Sequence, residues 1–572
     1  MRQRQYHHRR IKILAVIMAV GFVLCIGRLF YVMIIRSEYY LVRAEQVEER
    51  ERKIKALRGN IYDRNHIPLA VNQSVCTISV IHNQITDAEQ VITVLSDILS
   101  MDEKDVRKRV EKVSSIERIK SNVPKELGDE IRSYRLDGVN VDEDYARYYP
   151  YGDLASKVLG FTGSDNQGII GLEVMYDEYL SGSEGRILTK TDVRGVEVEN
   201  EAEKRIDPIP GYHLNTSLDY QIQTFVQQVA DKVLEQKQAK GVGVILMNPQ
   251  NGEIYAMVNA PEFDLNEPYT LNTAEQEGVS YNDALNRMWR NSCINDTYEP
   301  GSTFKIITSA AAFEENVISL TDTFSCPGYR IVEDRRIRCH KTTGHGAETF
   351  EQGFMNSCNP VFIDVGARVG VGNMYKYFRK VGLFEKTGVD LPGESASIMH
   401  EQKNVGAVEL ATISFGQSFQ ITPLQLLRAV SAVINGGWLV TPHFGVSIES
   451  AEGEIIETFE YEREGGAVSE STVETMKTLL EKVVSEGTGK NAAVEGYAIG
   501  GKTATSQKLP RGSGKYIASF LGFSPTDTPQ VIGIIMIDEP VGTYYGGTIA
   551  APVMKEIFEN VLPYLQENRP LH

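Results

Sequence analysis

The stretch EPGSTFKIITSAAAFE, residues 299–314, joins a tight turn to a helix and places two reactive side chains on it. Pro300 and Gly301 turn the chain, and Ser302 opens a helix that carries Lys305 on the same face, because positions i and i+3 are neighbours on a helix. A lysine whose pKa is lowered by desolvation and by a second cation can activate a serine hydroxyl as a nucleophile. Backbone N–H groups at the helix start can hold an oxyanion. Alone, S-x-x-K is a weak signal, since a solvated helix can contain it by chance.

Two later motifs give this pair its partners. They are NSCNP at 356–360, which contains Ser357 and Asn359, and GGKTATS at 500–506, which contains Lys502, Thr503 and Thr505. The elements S-x-x-K, S-x-N and K-T-x-T, in this order within one large domain, form the serine acyltransferase constellation of penicillin-binding proteins and β-lactamases. Their order and spacing predict an active-site serine far more strongly than any one motif.

The third motif also overlaps a literal phosphate-binding pattern, G-x-x-x-x-G-K-T, from Gly496 to Thr503. A phosphate loop works because a helix begins at its Lys-Thr and directs N–H groups at the anion. Here the following residues include Pro510, Gly512 and Gly514, which oppose a helix. The sequence therefore disfavours a P-loop ATPase.

Charge and hydropathy place the chain at a membrane. Its 572 residues include 76 acidic and 59 basic side chains, a net charge of -17, which weighs against nucleic acid as a partner. Five basic residues precede the first apolar run: Arg2, Arg4, Arg9, Arg10 and Lys12. That run, Ile13 to Ile35, has Arg28 as its only charge, is long enough to span a bilayer and lacks a signal-peptide cleavage site. The positive-inside rule then predicts a cytoplasmic N-terminus with residues 37 to 572 outside the cytoplasm.

Several elements can be predicted beyond the span. Residues 37–57 form a charged stretch of good helix formers, interpreted as a stalk. An α+β module follows from 58 to about 210 and includes a helix over 87–100. A larger domain then begins with a helix over 219–238 and a hairpin at 241–261, where Asn-Gly is a strong turn signal. Further helices are predicted at 302–315, 422–434, 471–486 and 551–562, and further strands at 516–523 and 531–537.

Longer motifs resemble the class B penicillin-binding proteins, the monofunctional peptidoglycan transpeptidases of bacterial elongation, division and sporulation. These motifs are RGNIYDRNHIPLA (58–70), RYYPYGDLASKVLGFTG (147–163), GIIGLEVMYDEYLSG (168–182), TGVDLPGE (387–394), SFGQSFQITPLQLLRAVSAVINGG (414–437) and AAPVMKEI (550–557). Three residues replace a glycine that is usual in the family: His66, Ser418 and Ala504. The Ala504 methyl group enters a strand that a substrate backbone should approach closely.

The resemblance implies an α+β multidomain protein of the bacterial cell membrane. Its expected parts are a cytoplasmic tail (1–12), a single N-terminal transmembrane helix (13–35), an extended α+β pedestal or dimerisation domain (58–210) and a serine penicillin-recognising transpeptidase domain (240–567). The last is expected to be an antiparallel sheet flanked by helices, and it would lie outside the cytoplasm.

The same resemblance implies a peptidoglycan D,D-transpeptidase that works through a serine acyl-enzyme. Ser302 would attack the penultimate D-Ala carbonyl of a D-Ala-D-Ala stem peptide, with Lys305 as the base. Ser357 would relay protons between Lys305 and Lys502. β-Lactams would mimic the donor and leave Ser302 acylated.

Substrate binding would fall to the second and third motifs. Asn359 would hydrogen-bond the stem peptide amide, while Thr503 and Thr505, together with Lys502, would hold its terminal carboxylate. The oxyanion would rest on backbone N–H groups of Ser302 and Thr505. No cofactor is expected, and a membrane-embedded glycosyltransferase of the SEDS family is the implied partner, alongside division or elongation proteins.

The sequence leaves other functions open. A catalytically idle scaffold for wall assembly is the alternative from another class, and the Ala504 substitution keeps it open. A D,D-carboxypeptidase or a β-lactamase would use water as the acceptor. The sequence does not separate elongation, division and spore cortex roles, although a cysteine beside S-x-N favours a sporulation or septal type.

Four residues with metal-binding side chains lie between the first two motifs or, in the case of Cys358, inside the second: Cys326, Cys339, His345 and Cys358. Three interpretations stand side by side. The four residues can form a tetrahedral zinc site, Cys339 and Cys358 can form a disulfide, or the thiols can be buried and free. The sequence commits to none of the three, and no metal ligand is assigned.

Overall fold

The computed structural model describes residues 2–37, 49–114, 116–190, 204–273 and 278–567. The chain divides into two compact units that interleave in sequence. The smaller unit comprises Met1–Leu57, Ser74–Tyr145 and Gly182–Pro210, and the larger comprises Arg58–Gln73, Ala146–Ser181 and Gly211–His572.

The N-terminal helix is the apolar helix that the sequence predicts. An α-helix, Arg2–Phe30, continues into a π-helical turn, Tyr31–Ile35. The helical segment Lys12–Ile35 is long and apolar enough to cross a membrane. No other helix in the part of the chain that the structure describes meets this condition. Their large apolar side chains are exposed, as expected for a helix that faces lipid. The helix is consistent with a membrane anchor.

The rest of the smaller unit packs three helices on strands. The helices are Ala88–Leu99, Glu103–Val110 and Lys125–Ser133, and a 3₁₀ turn lies at His82–Gln84. The strands that belong to this unit wholly or in part are Glu49–Ile54, Pro68–Val80, Glu117–Pro124, Val139–Tyr148, Gly185–Lys190 and Lys204–Ile206. Asp87 caps the first helix by accepting the Gln90 N–H, as its place before an apolar repeat predicts. Ile92 and Leu95 of that helix lie with Ile78 in the core of the unit.

The predicted stalk differs in part from the structure. Residues 38–48 of the 37–57 stretch lie outside the described residues. Glu49–Ile54 is a strand that pairs antiparallel with Gly185–Lys190, although its residues are good helix formers. Pairing with a segment far along the chain overrides local propensity here.

The larger unit is built on a five-stranded antiparallel sheet. In spatial order its strands are Ile254–Ala260, Gly241–Met247, Val531–Asp538, Tyr516–Ser524 and Gly500–Gln507. Successive residues of the inner strands supply two different cores: Ile534 faces one and Ile535 the other. Burial on both faces explains why these strands are apolar without alternation. Gly500–Gln507, here called the edge strand, has one strand partner among the described residues.

Helices cover both faces of this sheet. The helices of the larger unit are Ser156–Leu159, Gly171–Met175, Asp177–Leu180, Tyr220–Lys237, Tyr281–Met288, Ser292–Asn295, Lys305–Glu314, Phe350–Met355, Asn359–Lys380, Ala407–Ile413, Pro423–Ile434, Glu470–Ser485, Gly546–Ile549 and Ala551–Glu567, with 3₁₀ turns at Gly301–Phe304, Gln402–Asn404 and Lys490–Ala492. Tyr220–Lys237 and Ala551–Glu567 contribute to one core. Lys305–Glu314 and Pro423–Ile434 contribute to the other, and every residue of Pro423–Ile434 is buried.

Short strands complete the larger unit. They are Ile61–Tyr62, His213–Thr216, Thr323–Cys326, Tyr329–Val332, Arg335–Arg338, Gly346–Thr349, Leu439–Val440, Gly445–Glu449, Ile455–Thr458 and Arg463–Glu464. The 241–261 hairpin is confirmed, since its two strands pair antiparallel. The other helices and strands predicted for this unit are confirmed within a few residues at their ends, except that the predicted 302–315 helix begins later, at Lys305.

Candidate active site

Ser302 lies in a short 3₁₀ turn rather than in an α-helix. The turn, Gly301–Phe304, leads directly into the helix Lys305–Glu314, and Ser302 is partly exposed at its start. Gly301 has φ 59°, and its N–H donates to the Gly416 carbonyl at 2.9 Å. A Cβ on Gly416 would lie 2.0 Å from the Gly301 carbonyl oxygen, so this close approach requires glycine. The Phe-Gly segment around residue 416 therefore supports the serine turn.

Lys305 is completely buried and joins the first two motifs. Its Nζ donates to the Ser357 carbonyl at 2.7 Å and to Asn359 Oδ1 at 2.9 Å, and lies 3.2 Å from Ser357 Oγ. The aromatic ring of Phe362 lies beneath the amine, with its centroid 5.1 Å from Nζ. The structure thus brings together three residues that the sequence selected, Lys305, Ser357 and Asn359.

Burial changes the protonation of the two lysines. Desolvation lowers the pKa of Lys305 to about 8, although the thiols of Cys358 and Cys339 and the carboxylate of Glu348 oppose the shift. Desolvation lowers the pKa of Lys502 well below its ordinary value, and the charge of Lys305 lowers it further. Lys305 and Lys502 are close enough to repel one another, and among the described residues no carboxylate forms an ion pair with either.

The S-x-N segment is a strained turn at a helix start. Ser357 is a non-glycine residue at φ 55°, in the left-handed region, a conformation that costs about 1–3 kcal/mol and clusters at functional sites. Cys358 occupies the cap position of the helix Asn359–Lys380, and its N–H donates to the Gly353 carbonyl at 2.8 Å. Asn359 Nδ2 donates to the Arg338 carbonyl at 3.2 Å. The turn directs the Ser357 and Asn359 oxygens at Lys305.

The third motif lies on the edge strand, not on a phosphate loop. Lys502 is fully buried, and its Nζ donates to the Thr503 carbonyl at 3.3 Å. The strand continues to Gln507 with no helix at the Lys-Thr, which confirms the sequence argument against a P-loop ATPase. Ala504 and Ser506 face the serine turn: a Cβ on Gly301 would lie 3.7 Å from the Ala504 Cβ and 2.5 Å from Ser506 Oγ.

The two threonines lie on the other side of that strand. Thr503 Oγ1 donates to Thr488 Oγ1 at 3.1 Å, and Thr505 Oγ1 accepts the Gly546 N–H at 3.0 Å. The alternation of a strand accounts for this separation from Lys502. The Thr505 hydroxyl keeps its own proton free for a further acceptor.

Two of the glycine replacements lie where glycine is conformationally favoured. Ser418 has φ 68° and His66 has φ 63°, both in the left-handed region. The Ser418 N–H donates to Glu299 Oε1 at 2.9 Å, and Glu299 also pairs with Arg511 at 2.6 Å. No motif links Glu299 to Arg511, so sequence reasoning missed this pair beside the serine turn. Ser506 was also missed, although strand alternation from Lys502 predicts that it shares that face.

The four residues with metal-binding side chains converge in space. The ligand atoms of Cys326, Cys339, His345 and Cys358 all lie within 4.8 Å of one another. None of these thiols forms a disulfide. The group is here called the cysteine cluster, and it touches the S-x-N turn through Cys358.

Comparison with known proteins places the chain in a family. Residues 242–559 match the penicillin binding protein transpeptidase domain, and residues 53–216 match the penicillin-binding protein dimerisation domain. The chain is 38% identical to stage V sporulation protein D of Bacillus subtilis over 96% of its length and 84% of that protein. It is 28% identical to the probable peptidoglycan D,D-transpeptidase PenA of Neisseria gonorrhoeae over 97% of its length and 93% of that protein.

The fold is that of solved penicillin-binding proteins. Penicillin binding protein 2X of Streptococcus thermophilus superposes with a TM-score of 0.74 at 22% identity, covering 90% of this chain and 80% of that one. A transpeptidase-domain match over more than half of the chain and a relative at 38% identity decide the family. The chain belongs to the class B penicillin-binding proteins, the serine-type peptidoglycan D,D-transpeptidases that carry a dimerisation domain.

Proposed function

We propose that Ser302 is the nucleophile of this transpeptidase and that Lys305 is its general base. The observation that carries this assignment is the burial of Lys305 with neutral oxygens as its hydrogen-bond acceptors. As a neutral amine, Lys305 has two N–H donors for the Ser357 carbonyl and Asn359 Oδ1, which leaves its lone pair for a hydroxyl proton. A base with a pKa near 8 is well matched to that task at neutral pH.

The proposed acylation conserves atoms and charge. Ser302 Oγ attacks the penultimate D-Ala carbonyl, and its proton passes to Lys305. The tetrahedral oxyanion accepts from the backbone N–H groups of Ser302 and Thr505. The C–N bond then breaks, and the departing D-Ala nitrogen receives a proton by way of Ser357, between Lys305 and Lys502. The products are a serine ester and free D-Ala.

Substrate recognition is assigned to the edge strand and the S-x-N turn. An extended stem peptide can pair with the unpaired side of the edge strand, a common mode of peptide binding. Asn359 would bind a peptide amide. The terminal carboxylate would be held by the Thr505 hydroxyl, which can donate its proton while its oxygen accepts the Gly546 N–H. The Thr503 hydroxyl already donates to Thr488, so Thr503 would assist only by turning away from that partner, and Lys502 would contribute its charge from the other side of the strand.

The acyl group then passes to the amine of a second stem peptide. The amine attacks the ester carbonyl, the Ser302 oxygen leaves with a proton, and an amide cross-link forms. A D,D-carboxypeptidase would use water instead. An idle scaffold is disfavoured by the way Lys305 is buried, with the oxygens of Ser357 and Asn359 as its hydrogen-bond acceptors, because burying an amine in this way is costly and serves no evident structural purpose.

For the whole protein we propose a single-pass anchor with the N-terminus in the cytoplasm. The basic residues before position 13 support this orientation. The cytoplasmic tail would be 1–12, with a pedestal domain over 58–210 and the transpeptidase domain over 240–567 outside the cytoplasm. Because the motifs supply no glycan-polymerising activity, a SEDS-family glycosyltransferase is the proposed partner.

A sporulation role is the proposal for the cellular process. It is supported by the name of the relative at 38% identity, stage V sporulation protein D. Imaging a tagged copy through growth and sporulation tests it. Recruitment to the developing spore is expected, and localisation only at vegetative septa would contradict it.

Covalent labelling with a fluorescent penicillin tests the nucleophile. The full chain in detergent should become labelled, and Ser302→Ala should not. Ser309→Ala is the matched control, because Ser309 lies on the same helix and its hydroxyl donates to the Lys305 carbonyl. Labelling of Ser302→Ala protein would refute the assignment.

A further inference from the structure

The cysteine cluster lies between the short strands of residues 323–349, here called the insertion, and the start of the helix Asn359–Lys380. Cys326 ends the strand Thr323–Cys326, Cys339 follows the strand Arg335–Arg338, and His345 precedes the strand Gly346–Thr349. Cys358 comes from the cap of the helix Asn359–Lys380. All four side chains are buried or nearly so; that of His345 is 8% exposed. Four separate segments therefore direct soft ligands into one enclosed space.

We propose that Cys326, Cys339, His345 and Cys358 bind one structural zinc ion. Tetrahedral zinc with its usual bond lengths separates sulfur from nitrogen ligands by about 3.6 Å and sulfur from sulfur by about 3.8 Å. Cys339 Sγ lies 3.7 Å from His345 Nδ1, and no two ligand atoms of the group are more than 4.8 Å apart. The side chains are thus close to tetrahedral positions around a common centre.

A buried carboxylate is a second, independent indication of a cation. Glu348 is 5% exposed, and its Oε1 has no hydrogen-bond partner among the described residues. This oxygen lies 3.8 Å from His345 Nδ1, while Oε2 accepts from Asn356 Nδ2 at 3.1 Å. An unpaired, buried carboxylate oxygen is costly. A cation bound by the cluster would compensate this buried negative charge.

The donor set favours zinc among the common metals. Three thiolates and one imidazole match a closed Cys₃His structural site, whereas calcium and magnesium require oxygen ligands. On binding, the metal replaces three thiol protons, which leave to solvent, and no electron is transferred.

A bound metal would stabilise the position of the S-x-N turn. The insertion consists of two-stranded ribbons, which are marginal without an added constraint. Cys358 lies between Ser357 and Asn359, whose oxygens surround Lys305. A metal held by Cys358 would therefore fix the S-x-N turn against the insertion and keep those oxygens in place. This role differs from the chemistry of Ser302, and metal content can be measured without any transpeptidase assay.

The decisive measurement is zinc in the full chain, purified in detergent without a metal-affinity column. Mercurial release into a chromogenic chelator should give about one zinc per chain for the wild type. Cys339→Ala should lose it. Cys293→Ala is the matched control, a buried cysteine outside the cluster, and should retain it.

A thiol count distinguishes the alternatives even if Cys339→Ala fails to fold. Under denaturing conditions with chelator and no reductant, all six cysteines should titrate. Two fewer thiols, as a Cys339–Cys358 disulfide requires, would overturn the proposal, and so would six thiols without zinc. Cobalt exchange adds a spectroscopic check on the folded wild type, where intense visible bands of tetrahedral cobalt with thiolate charge transfer are expected. Zinc retained by folded Cys339→Ala would also refute the site.

Discussion

Two buried cations in the larger unit have opposite environments. Arg58 donates to Glu173 Oε2 at 2.6 Å and to Asp177 Oδ1 at 2.7 Å. Burial disfavours its charge, but these carboxylates outweigh burial and raise the pKa of Arg58. Lys305 is equally buried, yet its hydrogen-bond acceptors are the neutral oxygens of Ser357 and Asn359, and burial lowers its pKa. A cation that maintains structure is paired with anions, whereas one that must lose its proton is not.

Replacing Lys305 by arginine, the other type of buried cation, is expected to have the largest effect. Lys305→Arg keeps the charge but places a guanidinium that stays protonated where a base is needed. Acylation by a fluorescent penicillin should fall by on the order of 10³-fold. Lys376→Arg, an exposed lysine in the same unit, is the control. Near-normal acylation by Lys305→Arg would exclude Lys305 as the base.

Removing the negative charge of Glu173 tests whether the carboxylates around Arg58 stabilise the fold. Glu173 also accepts from Arg147 Nε at 2.6 Å, so Glu173→Gln leaves two buried arginines undercompensated. Unfolding by urea should show a loss of about 3–5 kcal/mol. Glu556→Gln, which removes an exposed pair with Lys232, should change stability by less than ~1 kcal/mol. Equal losses for the two variants would show that the buried network is not stabilising.

The pH dependence of acylation sharpens the comparison. Only the neutral amine can accept a proton, and the pKa of Lys305 is about 8. The acylation rate should therefore fall about tenfold per pH unit below that value and level off above it. Pre-steady-state labelling from about pH 6 to about pH 9 measures the profile, with unfolding followed in parallel. A rate that is flat across this range would argue that another group is the base.

Restoring the family glycine should have the smallest effect. Ala504 is 3% exposed, and its methyl group faces Gly301 of the serine turn rather than solvent. Ala504→Gly should cost up to ~1 kcal/mol of stability through strand entropy. It should change penicillin acylation by less than about threefold. A much larger gain in acylation would show that the methyl group obstructs the substrate.

Local sequence patterns predicted a helix or hairpin well where neighbouring residues alone determine it. The 241–261 hairpin and the helix Tyr220–Lys237, capped by Asp219, depend on turn chemistry and capping that neighbouring residues supply. Glu49–Ile54 was misjudged because its strand partner lies at 185–190. Ser302 lies before the α-helix rather than in it, because the turn is held by Gly416, more than a hundred residues later.

The sequence by itself determined the order of the three motifs, the apolar helix and the family, because residue identity and spacing carry these directly. Tertiary structure alone decided the state of the lysines, since a pKa depends on burial and on neighbours from distant segments. It also decided that Cys326, Cys339, His345 and Cys358 converge beside an unpaired Glu348 oxygen. Sequence spacing left zinc, disulfide and free thiols all open, because only folding sets the distances between those atoms.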